Sequence, residues 1–446
     1  MKKVIIVLLL GISFSHTVLA QSVHPTAVTT SDPVLLPKVW TGVAGDTSIG
    51  AISRKNPLHY LHVGETSQVK GWNRYDSPAT LTILKQDGRH LELQFKSPKY
   101  QINEVGTLSV DGKQIQITSK EASGLFTIEG DKIAGCGYSQ GTNGLFGHWL
   151  ASYSVWCDEY SVGTTPAPPS KQAIAALPKV WTGILSATNF GSPTRHVPNH
   201  EANMGKDKVV KGWTMHDEAP MTITILRQEG RHIEFLYKSA SAETKFIGML
   251  SADGKQIQVS SGYSTGAWTI TGDKISGCTV GRGMDGSFTD WFNNYQAYCV
   301  DLVAGTIPPA FPQQAVTISK EWKGTFTLTA EGTPNILNPW HRDNVGQEKE
   351  VKGWNAYESV AVIKVQRQTG RHLELLMQAG KFQNTFVGTL SSDGRQLQMV
   401  SNNAAYLLSI VGEKISGCGI ARGIDKTFNH WLNNHVAFCY EFTAVK

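Results

Sequence analysis

The segment that decides the fold is Leu81–Phe95, which reads LTILKQDGRHLELQF. Apolar and polar residues alternate on both sides of the dipeptide Asp87-Gly88. Alternation with a period of two around an Asp-Gly turn is a strong signal for a β-hairpin. The segment therefore predicts two antiparallel strands, with the apolar residues on the core side and polar ones, such as His90 and Glu92, outside.

The residues that follow predict more strands of the same kind. Further turns are predicted at residues 111–112 and 130–131, and a last strand at residues 154–157. With strands around Trp40 and Trp72, this gives eight or nine strands in up-and-down order. A meander of that size usually closes into a barrel, because closure removes the exposed sheet edges.

The whole pattern occurs three times, at offsets of 140 to 142 residues. The recurring motifs are Val-Lys-Gly-Trp at 69–72, 210–213 and 351–354, Gly-Arg-His at 88–90, 230–232 and 370–372, and Gly-Cys at 135–136, 277–278 and 417–418. Self-similarity at a fixed period identifies a repeat protein. The predicted fold class is therefore all-β, with three tandem antiparallel up-and-down β-barrel domains of about eight strands each.

The domain boundaries follow from the repeats and from two proline-rich segments. We predict a signal peptide (1–20), an N-terminal linker (21–35), three repeats (36–163, 177–305 and 317–446) and two linkers (164–176 and 306–316). Proline-rich segments are extended and semi-rigid. They favour three separate domains over one continuous solenoid.

Each repeat resembles the calycin barrels, the avidin- and lipocalin-like proteins. The resemblance is carried by a Trp-x-Gly motif early on the first strand, at 40–42, 181–183 and 322–324, followed by the antiparallel meander. The order differs from the Gly-x-Trp of lipocalins, and there is no avidin-type biotin signature. The resemblance implies a barrel that holds a ligand inside, without naming the ligand.

The N-terminus predicts export. Two lysines at positions 2 and 3 precede an apolar run at 4–10 and small residues up to Ala20, which is typical of a secretory signal peptide. We therefore predict a secreted or periplasmic protein. No later stretch approaches 18 uncharged apolar residues, so no helical membrane span is predicted. The net charge is only +5, without a dense Lys/Arg run, which disfavours nucleic-acid binding.

Six cysteines occur as three pairs, each separated by 21 positions. Six thiols allow 15 pairings, but one pair per repeat favours Cys136–Cys157, Cys278–Cys299 and Cys418–Cys439. Such a disulfide should stabilise each domain by roughly 3 kcal/mol, and it fits an exported protein. A metal site is disfavoured because no Cys-x-x-Cys occurs, and a nucleophilic cysteine because every thiol has a mate.

Candidate ligand-binding residues lie in a loop that varies among the repeats. Each loop keeps a Pro-x-His motif, which places His59, His200 and His341 at equivalent positions. A fixed histidine in a variable loop near a barrel mouth suggests a ligand contact; the alternative, which we favour, is a histidine that fixes the loop. A metal is not predicted, because no second histidine or acidic ligand recurs.

Two further sets recur in all three repeats. The Arg-His-x-Glu motif contains Arg89, Arg231 and Arg371, and the Gly-Trp motif contains Trp72, Trp213 and Trp354. On a strand, the His and Glu of the motif share the outer face, as a solvated pair or a contact between domains. We interpret the arginines as closing one end of the barrel by stacking on tryptophan, with ligand binding as the alternative. The tryptophans are interpreted as core residues or as platforms for sugar rings.

No catalytic motif recurs at equivalent positions in the three repeats. Gly-x-Ser-x-Gly occurs at 137–141 and 262–266, but a nucleophile elbow requires a strand, a turn and then a helix. No phosphate loop or dinucleotide fingerprint is present, so no cofactor is predicted.

The sequence thus favours an exported, non-catalytic protein that binds carbohydrate or another small ligand through several barrels, in the manner of a multivalent lectin. The alternative is an inhibitor or interaction protein that acts on another exported protein. An enzyme of unknown class is the third hypothesis.

Overall fold

In the part of the chain that the computed structural model describes, 24 β-strands follow one another in sequence order. The residues that it describes are 34–49, 72–119, 122–140, 153–163, 174–190, 213–240, 243–282, 295–306, 316–331, 354–380, 382–422 and 435–445. Within these ranges no helix has the length and apolar character needed to cross a bilayer. The predicted signal peptide lies outside the described residues.

The first repeat forms eight strands. They are β1 (Val39–Ile49), β2 (Trp72–Asp87), β3 (His90–Lys96), β4 (Gln101–Leu108), β5 (Gln114–Thr118), β6 (Ala122–Glu129), β7 (Lys132–Gln140) and β8 (Tyr153–Val162). The predicted hairpin is β2–β3, with Asp87 opposite His90. Its turn residue Gly88 has a φ of 59°, a left-handed conformation that glycine adopts without strain.

The second and third repeats form the same eight strands. The second contains β9 (Val180–Phe190), β10 (Trp213–Glu229), β11 (His232–Ser239), β12 (Glu243–Leu250), β13 (Gln256–Ser260), β14 (Ser264–Thr271), β15 (Lys274–Arg282) and β16 (Tyr295–Ala304). The third contains β17 (Glu321–Glu331), β18 (Trp354–Thr369), β19 (His372–Ala379), β20 (Phe382–Leu390), β21 (Gln396–Val400), β22 (Ala404–Val411), β23 (Lys414–Arg422) and β24 (His435–Ala444).

Each repeat closes into a barrel, because its first strand pairs with both its second and its eighth. Strand β1 is antiparallel to β2 and β8, β9 to β10 and β16, and β17 to β18 and β24. All three barrels therefore have eight antiparallel strands in chain order. This confirms the predicted fold class and the calycin-like architecture.

The Trp-x-Gly motif fixes the closed end of each barrel. Trp40 is 1% exposed, and its indole Nε1 donates to the carbonyl of Pro37 at 2.9 Å. Gly42 lies so close to the neighbouring strand that a Cβ atom would overlap the carbonyl of Glu159. Any side chain at Gly42 would therefore force β1 and β8 apart at this level.

The three predicted disulfides are formed, each between directly opposed residues of the last two strands of its barrel. They join Cys136 to Cys157, Cys278 to Cys299 and Cys418 to Cys439.

The barrels contact one another in a cyclic pattern. Strands β1, β7 and β8 of the first barrel face β11–β13 of the second, which we call the first interface. In the second interface, β9, β15 and β16 face β19–β21 of the third barrel. In the third interface, β17, β23 and β24 face β3–β5 of the first barrel. The same two surfaces are used each time, so the three barrels form a closed ring.

Most of the two predicted linkers, residues 164–173 and 307–315, lies outside the described residues. Their stiffness stays a prediction. The barrels that they join are nevertheless in direct contact, whereas the composition of the linkers predicts only that the domains are separate.

Candidate functional site

The outer-face histidines of the Arg-His-x-Glu motif lie in the three interfaces. His90, His232 and His372 are between 1% and 7% exposed. The ring Nδ1 of each forms a hydrogen bond with a threonine Oγ1 on the first strand of the neighbouring barrel. The pairs are Thr47 with His232 (2.8 Å), Thr188 with His372 (2.9 Å) and Thr329 with His90 (3.0 Å). Of the two predicted roles, the structure therefore shows the contact between domains.

The glutamate of the motif holds a basic residue in place within two of the barrels. Glu234 accepts a hydrogen bond from Arg227 at 2.7 Å, and Glu374 accepts one from Arg367 at 2.9 Å. The Arg227 guanidinium carbon lies 4.5 Å from the centroid of the Trp72 ring across the first interface. A stacked guanidinium and indole attract each other through the ring quadrupole.

The arginines of the motif donate hydrogen bonds to the end of the fourth strand in each barrel. Their Nε atoms donate to the carbonyl of the last residue of the fourth strand, as Arg89 to Leu108 (2.9 Å), Arg231 to Leu250 (2.8 Å) and Arg371 to Leu390 (2.8 Å). Arg231 also donates to the carbonyl of Cys157 across the first interface, at 3.0 Å. Closure of the barrel end by stacking on tryptophan and a role in ligand binding both stay predictions.

The candidate tryptophans Trp72 and Trp354 are half-buried and face a neighbouring barrel. The indole Nε1 of Trp354 donates to the carbonyl of Leu91 at 3.2 Å, and Lys85 Nζ lies 3.7 Å from the centre of its ring. Trp213 begins β10, and its side chain is outside the described part of the structure. The loop histidines His59, His200 and His341 are also outside it, so their predicted role stays untested.

Two interface arginines, Arg282 and Arg422, belong to no motif that is shared by all three repeats, because the first repeat has Gln140 at the equivalent position. Arg282 donates to the carbonyls of Ser401, Asn402 and Ala404 at 2.6 to 3.1 Å, across the second interface. Arg422 donates to those of Ser119 and Ala122 at 2.9 and 3.1 Å, across the third. Both side chains are buried at 9% exposure or less.

The interior of the first barrel holds a buried carboxyl pair, Glu104 on β4 and Asp158 on β8. Each is 5% exposed. Asp158 accepts hydrogen bonds from the Tyr160 hydroxyl at 2.7 Å and from the backbone N–H of Gly45 at 3.3 Å. No hydrogen bond to the Glu104 carboxyl is found among the described residues. Buried charge of this kind is costly unless something compensates it.

The equivalent positions in the other barrels are apolar or aromatic. Asp158 is opposite Ala44 on the first strand, where the second barrel has Val300 opposite Leu185 and the third has Tyr440 opposite Phe326. Glu104 is opposite Leu93, where the other barrels have Phe246 opposite Phe235 and Phe386 opposite Leu375. The second and third barrels therefore have buried apolar or aromatic side chains at the positions where the first has two acids.

Burial raises the pKa values of these acids. Desolvation, with a smaller contribution from the charge of Asp158, raises the pKa of Glu104 to about 8. Desolvation also raises the pKa of Asp158 to about 7, against the hydrogen bonds from Tyr160 and Gly45, which lower it. Asp46, one step nearer the other end of the barrel, has a pKa raised by burial to about 6. Perturbed groups that converge inside a concave fold are typical of functional sites.

A further polar side chain, Ser77, faces the interior of the first barrel and has no hydrogen-bond partner. Ser77 is 4% exposed and continues the buried alternation of Ala79, Leu81 and Ile83 on β2. Its hydroxyl oxygen is buried and forms no hydrogen bond. Ser77 is opposite Ala44, the residue that is also opposite Asp158, so serine and acid lie on the same level of the wall.

The sequence carries a signal for this site that the motif comparison does not use. Glu104 and Asp158 occupy inward-facing positions of their strands, because they are an even number of residues from the buried Leu108 on β4 and Tyr160 on β8. A charged residue at an inward position of one repeat, where the other repeats have apolar residues, marks a site in that repeat alone. Within the described residues, no cluster of three or more potential metal ligands is found.

Comparison with known proteins identifies no family: no family model and no curated protein matches the chain. Solved structures with partial similarity include a protein of unknown function of the DUF3598 family from Nostoc punctiforme. It is 8% identical over 60% of this chain and 96% of its own, with a TM-score of 0.25.

Another is a double mutant of transferrin binding protein B from Haemophilus parasuis, 9% identical over 93% of this chain and 77% of that chain, with a TM-score of 0.19. Transferrin binding protein B from serogroup B Neisseria meningitidis is 7% identical over 91% and 77%, with a TM-score of 0.18. At these scores the similarity does not transfer a function to this chain.

Proposed function

We propose that this chain is an exported, non-catalytic binding protein whose small ligand enters the first barrel. The observation that carries the proposal is the pair Glu104 and Asp158, which occupies positions that are filled by Phe246 and Val300 in the second barrel. A buried acid pair without a compensating partner destabilises a fold. Its presence in one of three equivalent cores is explained by a ligand.

Export is supported by the three disulfides, which persist in oxidising compartments. The predicted signal peptide agrees with the same location, either secreted or periplasmic. Binding without catalysis is supported by the closed barrels and by the position of the motif histidines, which are engaged in interfaces.

The tandem repeats suggest repeated binding, but the filled cores of the second and third barrels favour a single interior site. The other two barrels would then stabilise the first through the ring. This supports a small-ligand carrier over a multivalent lectin.

The proposal predicts that filling the first barrel abolishes binding. The double variant Glu104→Phe/Asp158→Val gives the first barrel the residues of the second. We expect it to fold and to lose the thermal shift that a ligand from a library of small molecules and glycans produces in the wild-type protein, since ligand binding to the folded state raises its stability.

The matched control is Phe246→Leu, which changes the second barrel at the position of Glu104. It should retain the ligand response. If the filled variant responds to the same ligands as the wild type, the site lies elsewhere, and an interaction through the barrel surfaces becomes the better hypothesis.

A further inference from the structure

We infer that the ligand of the first barrel is an organic primary ammonium ion, whose nitrogen lies between the carboxyl groups of Glu104 and Asp158. This inference rests on the proposed function and names its ligand class.

The first argument is charge. Asp158 receives two hydrogen bonds, from Tyr160 and Gly45, while Glu104 receives none among the described residues. Arg231 lowers the pKa of Asp158, but it approaches from the second barrel and donates to the Cys157 carbonyl in the wall. Among the described residues no cationic side chain lies inside the barrel beside the two acids, so a bound cation would be the group that stabilises their ionised forms.

The second argument is the count of hydrogen-bond acceptors. A primary ammonium group has three N–H donors and no acceptor. Glu104, Asp158 and the unpartnered hydroxyl oxygen of Ser77 are three acceptors inside the first barrel, and Ser77 and Asp158 lie at one level of its wall because both are opposite Ala44. A neutral sugar could use the same oxygens, but it would not stabilise the ionised form of either acid, whereas an ammonium ion would stabilise both.

The third argument is the wall above the acids. Asp46 is opposite both Tyr75 and Trp156, and all three are half-buried, whereas Ala44, Ser77 and Asp158 one level deeper are buried.

This level places one acid and two aromatic rings next to the buried acids. The Trp156 ring lies against Gly124 and Gly137 and packs against Phe126 at a centroid distance of 5.7 Å, so it lines the wall, and aromatic rings attract cations.

The fourth argument is the size of the side chains beside the acids. The first barrel packs Phe126 against Trp156 and Tyr160, with ring centroids 5.7 and 6.0 Å apart, but it has smaller side chains at other interior positions. Ala44 stands where the third barrel has Phe326, and the third barrel packs Phe326 against Tyr440 with ring centroids 5.8 Å apart. The first barrel has neither ring. Apolar neighbours such as Leu93 and Ile117 remain to cover the hydrocarbon part of an amine.

The experiment is isothermal titration calorimetry on the full-length protein with three probes: methylammonium, 2-phenylethylammonium and protonated tryptamine. Each is paired with its neutral alcohol (methanol, 2-phenylethanol and indole-3-ethanol). We expect at least one ammonium ion to bind, and its alcohol to bind at least about tenfold more weakly. Glu104→Gln and Asp158→Asn should each weaken binding of the ammonium ion by about tenfold or more, because each removes one charge.

Affinity should also rise with pH between about 6 and about 8.5, since protons compete with the cation for both acids. The groups that face the pair and shape this dependence are Asp46, Tyr160 and, from outside the wall, Arg231. The control Glu129→Gln removes an exposed carboxylate from β6 of the same barrel and should leave the affinity unchanged.

Equal affinity for amine and alcohol, or unchanged affinity in Glu104→Gln, would overturn the inference. So would failure of all three ammonium ions to bind. In any of these cases the proposed function still holds if another ligand stabilises the wild-type protein but not the double variant Glu104→Phe/Asp158→Val. If no ligand does so, the proposed function is wrong as well.

Discussion

Glu104 is a carboxylic acid at a position where both other barrels have phenylalanine. Nothing in its local sequence, Asn103-Glu104-Val105-Gly106, distinguishes it from an exposed strand residue. Its place in the inward period is readable from the sequence, but its pKa is not, because desolvation depends on how the seven other strands enclose it. The titration of this residue is therefore a property of the closed barrel.

The raised pKa values of Glu104 and Asp158 predict that the protein loses stability as pH rises. Between the ordinary pKa values, near 4, and the raised values of about 8 and about 7, the folded state keeps protons that the unfolded state has released. The free energy of unfolding should then fall by up to about 1.4 kcal/mol per pH unit for each group. Urea unfolding at pH values from about 5 to about 9 measures this.

In Glu104→Gln the fall should be shallower, because the amide does not ionise. The variant should gain stability relative to the wild type at the alkaline end. The exposed carboxylate variant Glu129→Gln controls for the change in net charge. Parallel curves for wild type and Glu104→Gln would contradict the raised pKa of Glu104.

The seventh strand of the second and third barrels ends in an arginine that contacts the neighbouring barrel. Strands β15 and β23 end in Arg282 and Arg422, whose guanidinium groups satisfy carbonyls of a hairpin in the next barrel. The equivalent strand β7 ends in Gln140. A repeat comparison treats a position that varies as unimportant, yet here two of the three interfaces depend on it.

We predict that Arg282→Gln, which copies the first repeat, destabilises the protein by about 1 to 3 kcal/mol. It removes charged hydrogen bonds to the carbonyls of Ser401, Asn402 and Ala404 and leaves buried acceptors unsatisfied. Guanidinium unfolding followed by tryptophan fluorescence measures the change. Arg395→Gln, at an exposed arginine of the third barrel, is the control, and an equal effect of both variants would argue against the interface contact.

The ring joins barrels that the chain connects only through short linkers. Apolar clusters lie between barrels, one containing Val155, Cys157, Ile247 and Met249 at the first interface, and another containing Ala297, Val387 and Val400 at the second. The disulfide sulfur atoms of Cys157, Cys299 and Cys439 lie 3.3 to 3.5 Å from carbonyl oxygens of the neighbouring barrels. Burial of this kind drives association independently of the linkers.

We therefore predict that the three barrels stay together after the linkers are cut. A protease site introduced within residues 164–173 and another within 307–315 would yield three disulfide-containing fragments. They should elute together in size-exclusion chromatography under native conditions and separate in denaturant. Replacing His232 by alanine, which removes its contacts with Thr47 and with Asp76, should weaken the association of the first two fragments. Separate elution of intact wild-type fragments would show that the linkers hold the ring.

The three barrels, their hairpins and their disulfides follow from the sequence, because they depend on local patterns. Period-two alternation sets which side of a strand faces the core, Asp-Gly and Gly-Asp dipeptides set the turns, and equal spacing pairs Cys136 with Cys157. Such contacts lie within one hairpin or one repeat, and triplication makes the pattern unmistakable.

The ring and the candidate site were decided only by the tertiary structure. His232 on an outer face is indistinguishable in the sequence from a solvated histidine until Thr47, 185 positions away, is placed against it. Glu104 and Asp158 become a pair only when the barrel closes and brings β4 and β8 to the same interior. Both depend on long-range packing, in which the partner of a residue is set by the geometry of closure and not by its neighbours along the chain.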